Sequence, residues 1–160
     1  MVETRDFDAW RDGIVRTHLR PPDERPESSG RGVHHLALIC SDVERTIRFY
    51  QDLLGFPLAA VFENRDYPGS THFFFDIGHE NLLAFFEFPG LELGEAVETY
   101  GSMQHVAISV TPERLAALRA RLDEAGVGYL GPDRGVEDSL YLKDPDGAQI
   151  ELLAAELRVF

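Results

Sequence analysis

The chain repeats itself, and the repeat limits what it can fold into more than any other feature. Residues 35–58, "HLALICSDVERTIRFYQDLLGFPL", and residues 105–130, "HVAISVTPERLAALRARLDEAGVGYL", carry the same signals in the same order. Each opens on His, an apolar residue, Ala and a second apolar residue. Each then shows a helix start: Ser41 with Glu44 has the capping-box pattern, and Thr111 is a cap with Pro112 at the first helical position. Each helix is expected to stop at a glycine, Gly55 or Gly126, which lie 20 and 21 residues beyond His35 and His105. Three short apolar runs follow in both copies: "PLAAVFEN", "THFFFDIG" and "NLLAFFEF", then "VGYLG", "SLYLKDPDG" and "AQIELLA". Each copy therefore reads as strand, helix and three strands. The fold class expected is α+β: two tandem βαβββ modules forming a curved-sheet cup, plus an N-terminal helix. Module one covers about 33–90 and module two about 103–155, within a domain spanning 33–160.

Residues 1–32 stand apart. Phe7, Trp10, Ile14 and Val15 recur near helical spacing, and "RPPDERPESSGRG" after them is a linker by composition. A lone helix of this length is marginal in water, so docking on the domain or on a partner chain is expected.

Strand alternation sorts the candidate site residues. His105, Ala107 and Ser109 share one face of their strand; Val106, Ile108 and Val110 share the other, which should pack on the helix. The repeat aligns His35 with His105, so His35 is expected to look into the cup and His34 to face outward, exposed and inert. Glu151 alternates with Ile150 and Leu152 and shares the cup side. A charged group placed inside a domain needs a partner or a metal. Two histidines and one carboxylate match a facial triad with open coordination positions, suited to Fe(II), Mn(II), Zn(II) or Ni(II). His72 is a core or surface histidine, or lines the cavity; His79 sits in a solvated turn. Tyr141 either bonds substrate oxygens or packs. The Phe73–Phe75 run and Phe85, Phe86 and Phe88 are core, with some left to line an apolar pocket.

Composition narrows the partners. A formal net charge of −13 opposes binding to nucleic acid or to an anionic membrane surface. The single cysteine, Cys40, permits no intrachain disulfide and fits a reducing compartment. The charged start "MVETRDFDAW" is no signal peptide, and no apolar run is long enough to span a bilayer. A cytoplasmic protein is expected.

The paired modules, the "HLAL" and "HVAI" strand starts, "RFYQDLLGF" and "YLKDPDGAQIELL" together resemble the vicinal oxygen chelate superfamily, over about residues 33–155. That group includes glyoxalase I, bleomycin-resistance proteins, fosfomycin-resistance enzymes, methylmalonyl-CoA epimerase and extradiol ring-cleaving dioxygenases. The resemblance implies one divalent metal held by His35, His105 and Glu151, a small-molecule substrate and a homodimer. It implies a fourth ligand position at Ala84, which binds nothing; glyoxalase I uses four protein ligands, so three ligands point to an extradiol dioxygenase or a fosfomycin-resistance enzyme. The few basic residues of module two disfavour a phosphonate substrate, leaving an extradiol dioxygenase-like enzyme. The acid–base histidine of that group is replaced here by Asp133 or Arg134, in "GPDRGVED". A glyoxalase-like lyase or isomerase and a non-catalytic binding protein of the bleomycin-resistance kind are the alternatives.

Overall fold

The computed structural model describes residues 6–131 and 138–157. The chain divides into two compact units, residues 1–32 and 33–160. In the first unit, α1 (Phe7–His18) is capped by Asp6, whose carboxylate accepts the Ala9 amide, and buries none of its residues. A short 3₁₀ turn, Pro22–Glu24, lies in the linker.

The second unit realises the repeat. Its first module comprises β1 (His35–Cys40), α2 (Val43–Ile47) running into a π-helical segment (Arg48–Leu53), β2 (Leu58–Glu63), β3 (Thr71–Asp76) and β4 (Leu82–Glu87). Its second comprises β5 (Val106–Ser109), α3 (Pro112–Ala125), β6 (Tyr129–Leu130), β7 (Ser139–Lys143) and β8 (Gln149–Leu153). As two modules imply, there are two four-stranded sheets, ordered β1-β4-β3-β2 and β5-β8-β7-β6. In each, the outer pair β1/β4 or β5/β8 is parallel and the remaining pairs are antiparallel. Among the described residues no helix is long and apolar enough to cross a membrane.

The helix ends follow local chemistry. Thr111 caps α3 through the Arg114 amide, Pro112 occupies the first turn, and Gly126 ends the helix with a left-handed φ of 67°. Gly55 closes the π-helical segment in the same way at φ 76°. The first module departs from the capping-box expectation. Asp42, not Ser41, is the cap, accepting the Arg45 amide at 2.7 Å. Ser41 turns instead to the other module, donating its hydroxyl to Asp146 Oδ1 at 2.5 Å and its amide to Asp146 Oδ2 at 3.0 Å.

One core serves both modules. Phe73, Phe75, Leu83 and Phe85 from the first sheet and Leu140, Ile150 and Leu152 from the second are fully buried, with Tyr50, Leu54, Leu118 and Leu122 from the helices. Each such side chain stabilises the fold by about 1.5–3 kcal/mol. Polar ties cross the same seam. Tyr50 donates its hydroxyl to Asp144 Oδ2 at 3.0 Å, and Arg45 bonds Asp146 Oδ1 at 2.8 Å. The "FY" and "DPDG" stretches thus meet each other, far apart in sequence and hydrogen-bonded in space.

Candidate metal centre

The face of each sheet away from the shared core carries the candidate site residues. In β1, Leu36, Leu38 and Cys40 pack toward the core, while His35, Ala37 and Ile39 are exposed. The ladders make the repeat exact across strands. Ala37 pairs with Ala84, which pairs with Phe74; in the second module Ala107 pairs with Glu151, which pairs with Tyr141. Glu151 and Ala84 therefore occupy equivalent positions, as do Tyr141 and Phe74. Glu87 lies on the opposite face of β4 from Ala84, because it is three residues along a strand whose side chains alternate.

His105 and Glu151 come together. His105 Nε2 stands 3.1 Å from Glu151 Oε2, and Glu151 is only 7% exposed. The remaining ring nitrogen, Nδ1, is bonded to Gln104 Oε1. That amide is oriented by its own nitrogen, which donates to Glu98 Oε1 at 3.0 Å. Gln104 Oε1 can only accept, so His105 Nδ1 carries the proton. In the neutral ring the Nε2 lone pair then faces a carboxylate oxygen. Two acceptors at that separation need a proton or a metal cation between them. Two ligand atoms each about 2.1 Å from one ion and at a right angle lie about 3 Å apart, so the pair fits a divalent metal of the imidazole–carboxylate type. Tyr141 flanks the pair, its ring edge-on to His105 at 5.9 Å.

His35 does not join them within one chain. Among the described residues no three His, Cys, Asp or Glu side chains stand close enough to hold one ion. His35 belongs to the open face of the first sheet, 5.7 Å from the Phe74 ring. His34 is exposed as expected and contacts its neighbour. It precedes the strand in a bend, where alternation does not apply, and its Nδ1 lies 2.9 Å from His35 Nδ1. His72 lies on the same open face, stacked on Phe86 at 3.7 Å and flanked by Phe62 and Phe74. Its Nε2 is buried without a hydrogen-bond partner. Burial, with His35 nearby, holds its pKa below the ordinary histidine value. His79 is exposed in the β3–β4 turn. Asp133 and Arg134 lie outside the described residues.

Sequence reasoning missed Gln104, Glu98 and the contact made by His34. The repeat held the signal for two of them: His34 and Gln104 are equivalent, both polar, and both immediately precede a candidate ligand histidine.

Two βαβββ modules sharing a core, with an imidazole–carboxylate pair on one sheet face, define a paired-module α+β protein. The chain belongs to the glyoxalase/bleomycin resistance protein/dioxygenase superfamily, whose sequence profile matches residues 32–152. It is 33% identical over 127 residues to the lactoylglutathione lyase of Salmonella typhimurium, covering 76% of this chain and 91% of that protein. It is 32% identical over 101 residues to MhqE of Bacillus subtilis, which carries the name of a ring-cleaving dioxygenase; this covers 60% of the chain but only 32% of MhqE. The fold matches FosX, a fosfomycin resistance protein from Listeria monocytogenes, a point mutant of which was solved with Mn(II) and 1S,2S-dihydroxypropylphosphonic acid. That match has a TM-score of 0.60 at 22% identity, covering 79% of this chain and 94% of that one.

Proposed function

We propose that the protein is a metal-dependent enzyme acting on a small apolar or aromatic substrate with two neighbouring oxygens, in the manner of a ring-cleaving dioxygenase. His105 and Glu151 of one chain, with His35 of a second copy, hold one divalent ion: Fe(II), Mn(II), Zn(II) or Ni(II). The observation that carries this reading is the 3.1 Å approach of His105 Nε2 to a buried carboxylate, with Nδ1 against the Gln104 amide oxygen. A bound ion supplies Lewis acidity toward the paired substrate oxygens and, as Fe(II), dioxygen chemistry. The chain's own residues do the rest. His105 and Glu151 grip the ion from one side, and His35 projects from an aromatic face that offers a flat apolar wall. In this reading Tyr141, its ring beside His105, bonds a substrate oxygen. Ala84, at the position equivalent to Glu151, leaves room where a fourth protein ligand would otherwise close the site. A second copy completes the centre in this reading, because among the described residues one chain brings only two of the three ligands together; the proposal therefore includes a homodimer.

The length over which the chain matches the lactoylglutathione lyase favours a second reading, a glyoxalase-like lyase or isomerase on the same centre. Oxygen uptake from a catechol panel, after anaerobic loading with Fe(II), separates the two: uptake supports the dioxygenase, and intact metal without uptake supports the lyase. A protein that takes up none of the four metals is a binding protein only. Mixed dimers test the shared centre. His35→Ala and Glu151→Ala chains, each without a complete site alone, should regain one site per heterodimer when unfolded and refolded together. No recovery of metal, with heterodimers formed, would show that all three ligands come from one chain.

A further inference from the structure

We infer that Glu98 and Gln104 form a positioning relay that sets the tautomer and aim of His105. The inference rests on the metal reading of His105 and Glu151 and deepens it. An imidazole binds a metal through a ring nitrogen that carries no proton, and its other nitrogen must then hold the proton. In solution a neutral histidine has no fixed choice between the two. Here the choice is made by three consecutive contacts. Glu98 Oε1 accepts from the Gln104 amide nitrogen at 3.0 Å, so Gln104 Oε1 points the other way, and that oxygen receives the His105 Nδ1 proton. His105 Nε2 is directed at Glu151 Oε2, 3.1 Å away, a separation that a bound cation, or a proton in its absence, bridges.

The amide alone would be ambiguous, because its oxygen and nitrogen occupy nearly the same shape. A flipped amide would offer N–H to Nδ1, drive the proton to Nε2 and block the ligand atom. Glu98 removes the ambiguity, since an ionised carboxylate only accepts and the NH₂ end must face it. The relay is drawn from the segment joining the two modules, so that segment has a role beyond connection. The repeat-related position in the first module behaves in parallel: His34 contacts His35 at Nδ1, which leaves His35 Nε2 clear of it.

The test uses the full-length protein and Ni(II) as probe, with long-range proton–nitrogen NMR of the imidazoles in the metal-free state as an independent readout. Gln104 is exposed, so its variants should fold, which thermal unfolding checks. The wild type should show a protonated His105 Nδ1. Gln104→Leu should shift His105 toward the Nε2-protonated tautomer and weaken Ni(II) binding about 10- to 100-fold, as loss of an outer hydrogen-bond partner does. Gln104→Glu combined with Glu98→Gln, which keeps an acceptor on Nδ1 and a donor–acceptor pair behind it, should restore the tautomer and most of the affinity. Glu98→Ala should give a smaller loss, because the freed amide samples both orientations. A Gln104→Leu protein with unchanged tautomer or unchanged affinity would overturn the inference. If the wild type binds no Ni(II), Mn(II), Fe(II) or Zn(II) while its His105 tautomer still depends on Gln104, the relay stands and the metal reading fails.

Discussion

Asp144 shows how one buried carboxyl couples the modules. It is 6% exposed, accepts the Asp146 and Ala148 amides at 3.0 and 2.8 Å, and takes the Tyr50 hydroxyl from the other module. Burial pushes its pKa above the ordinary carboxylate value, against the pull of those hydrogen bonds. The folded state therefore holds this proton more tightly than the unfolded state. Its stabilising contribution is complete below the ordinary carboxylate pKa and is lost as pH rises through the raised value. Asp144→Asn, which keeps an acceptor for the two amides, should flatten the fall in stability that begins at about pH 4, measured by urea unfolding at stepped pH. An unchanged pH slope would assign that fall to other groups. Tyr50→Phe should cost about 1.5–3 kcal/mol, because it strips a hydrogen bond from a buried charged partner. At this scale the strand faces of His35, His105 and Glu151 were legible from alternation and repeat. The Tyr50–Asp144 bond was not, since nothing local to either residue names the other.

The helix starts separate what local sequence predicts from what packing reassigns. Thr111 caps α3 as its neighbours suggest, whereas the "SD" pair before α2 offers two capping side chains for one amide. Asp42 takes the cap and frees Ser41 to bond Asp146 across the seam. Asp42→Ala should cost about 1 kcal/mol, as loss of a cap does. Ser41→Ala should cost a comparable amount for a different reason, and a double-mutant cycle distinguishes them. Ser41 should couple to Asp146 and Asp42 should not. Both strand sets fell where the apolar runs placed them, because periodicity and turn residues report locally. The π-helical segment Arg48–Leu53 was not anticipated: its hydrogen-bond spacing leaves no mark on residue types that an α-helix would not also show.

Over the whole molecule, the open faces are the unfinished part. Ile39 and Phe62, both on the His35 face, are 51% and 50% exposed. If a second copy covers this face, wild type should sediment as a dimer. Ile39→Asp and Phe62→Asp should then yield monomers that keep most of their unfolding midpoint but lose metal. Dimers that survive both substitutions would move the interface elsewhere. By itself the sequence determined the two modules and which residues share each strand face, because a repeat and a two-residue alternation are local regularities. Only the tertiary structure decided that the modules join through their apolar faces, leaving His105 with Glu151 and His35 apart. That outcome depends on which buried surfaces fit each other, and such fit is a property of three-dimensional packing with no periodic trace along the chain.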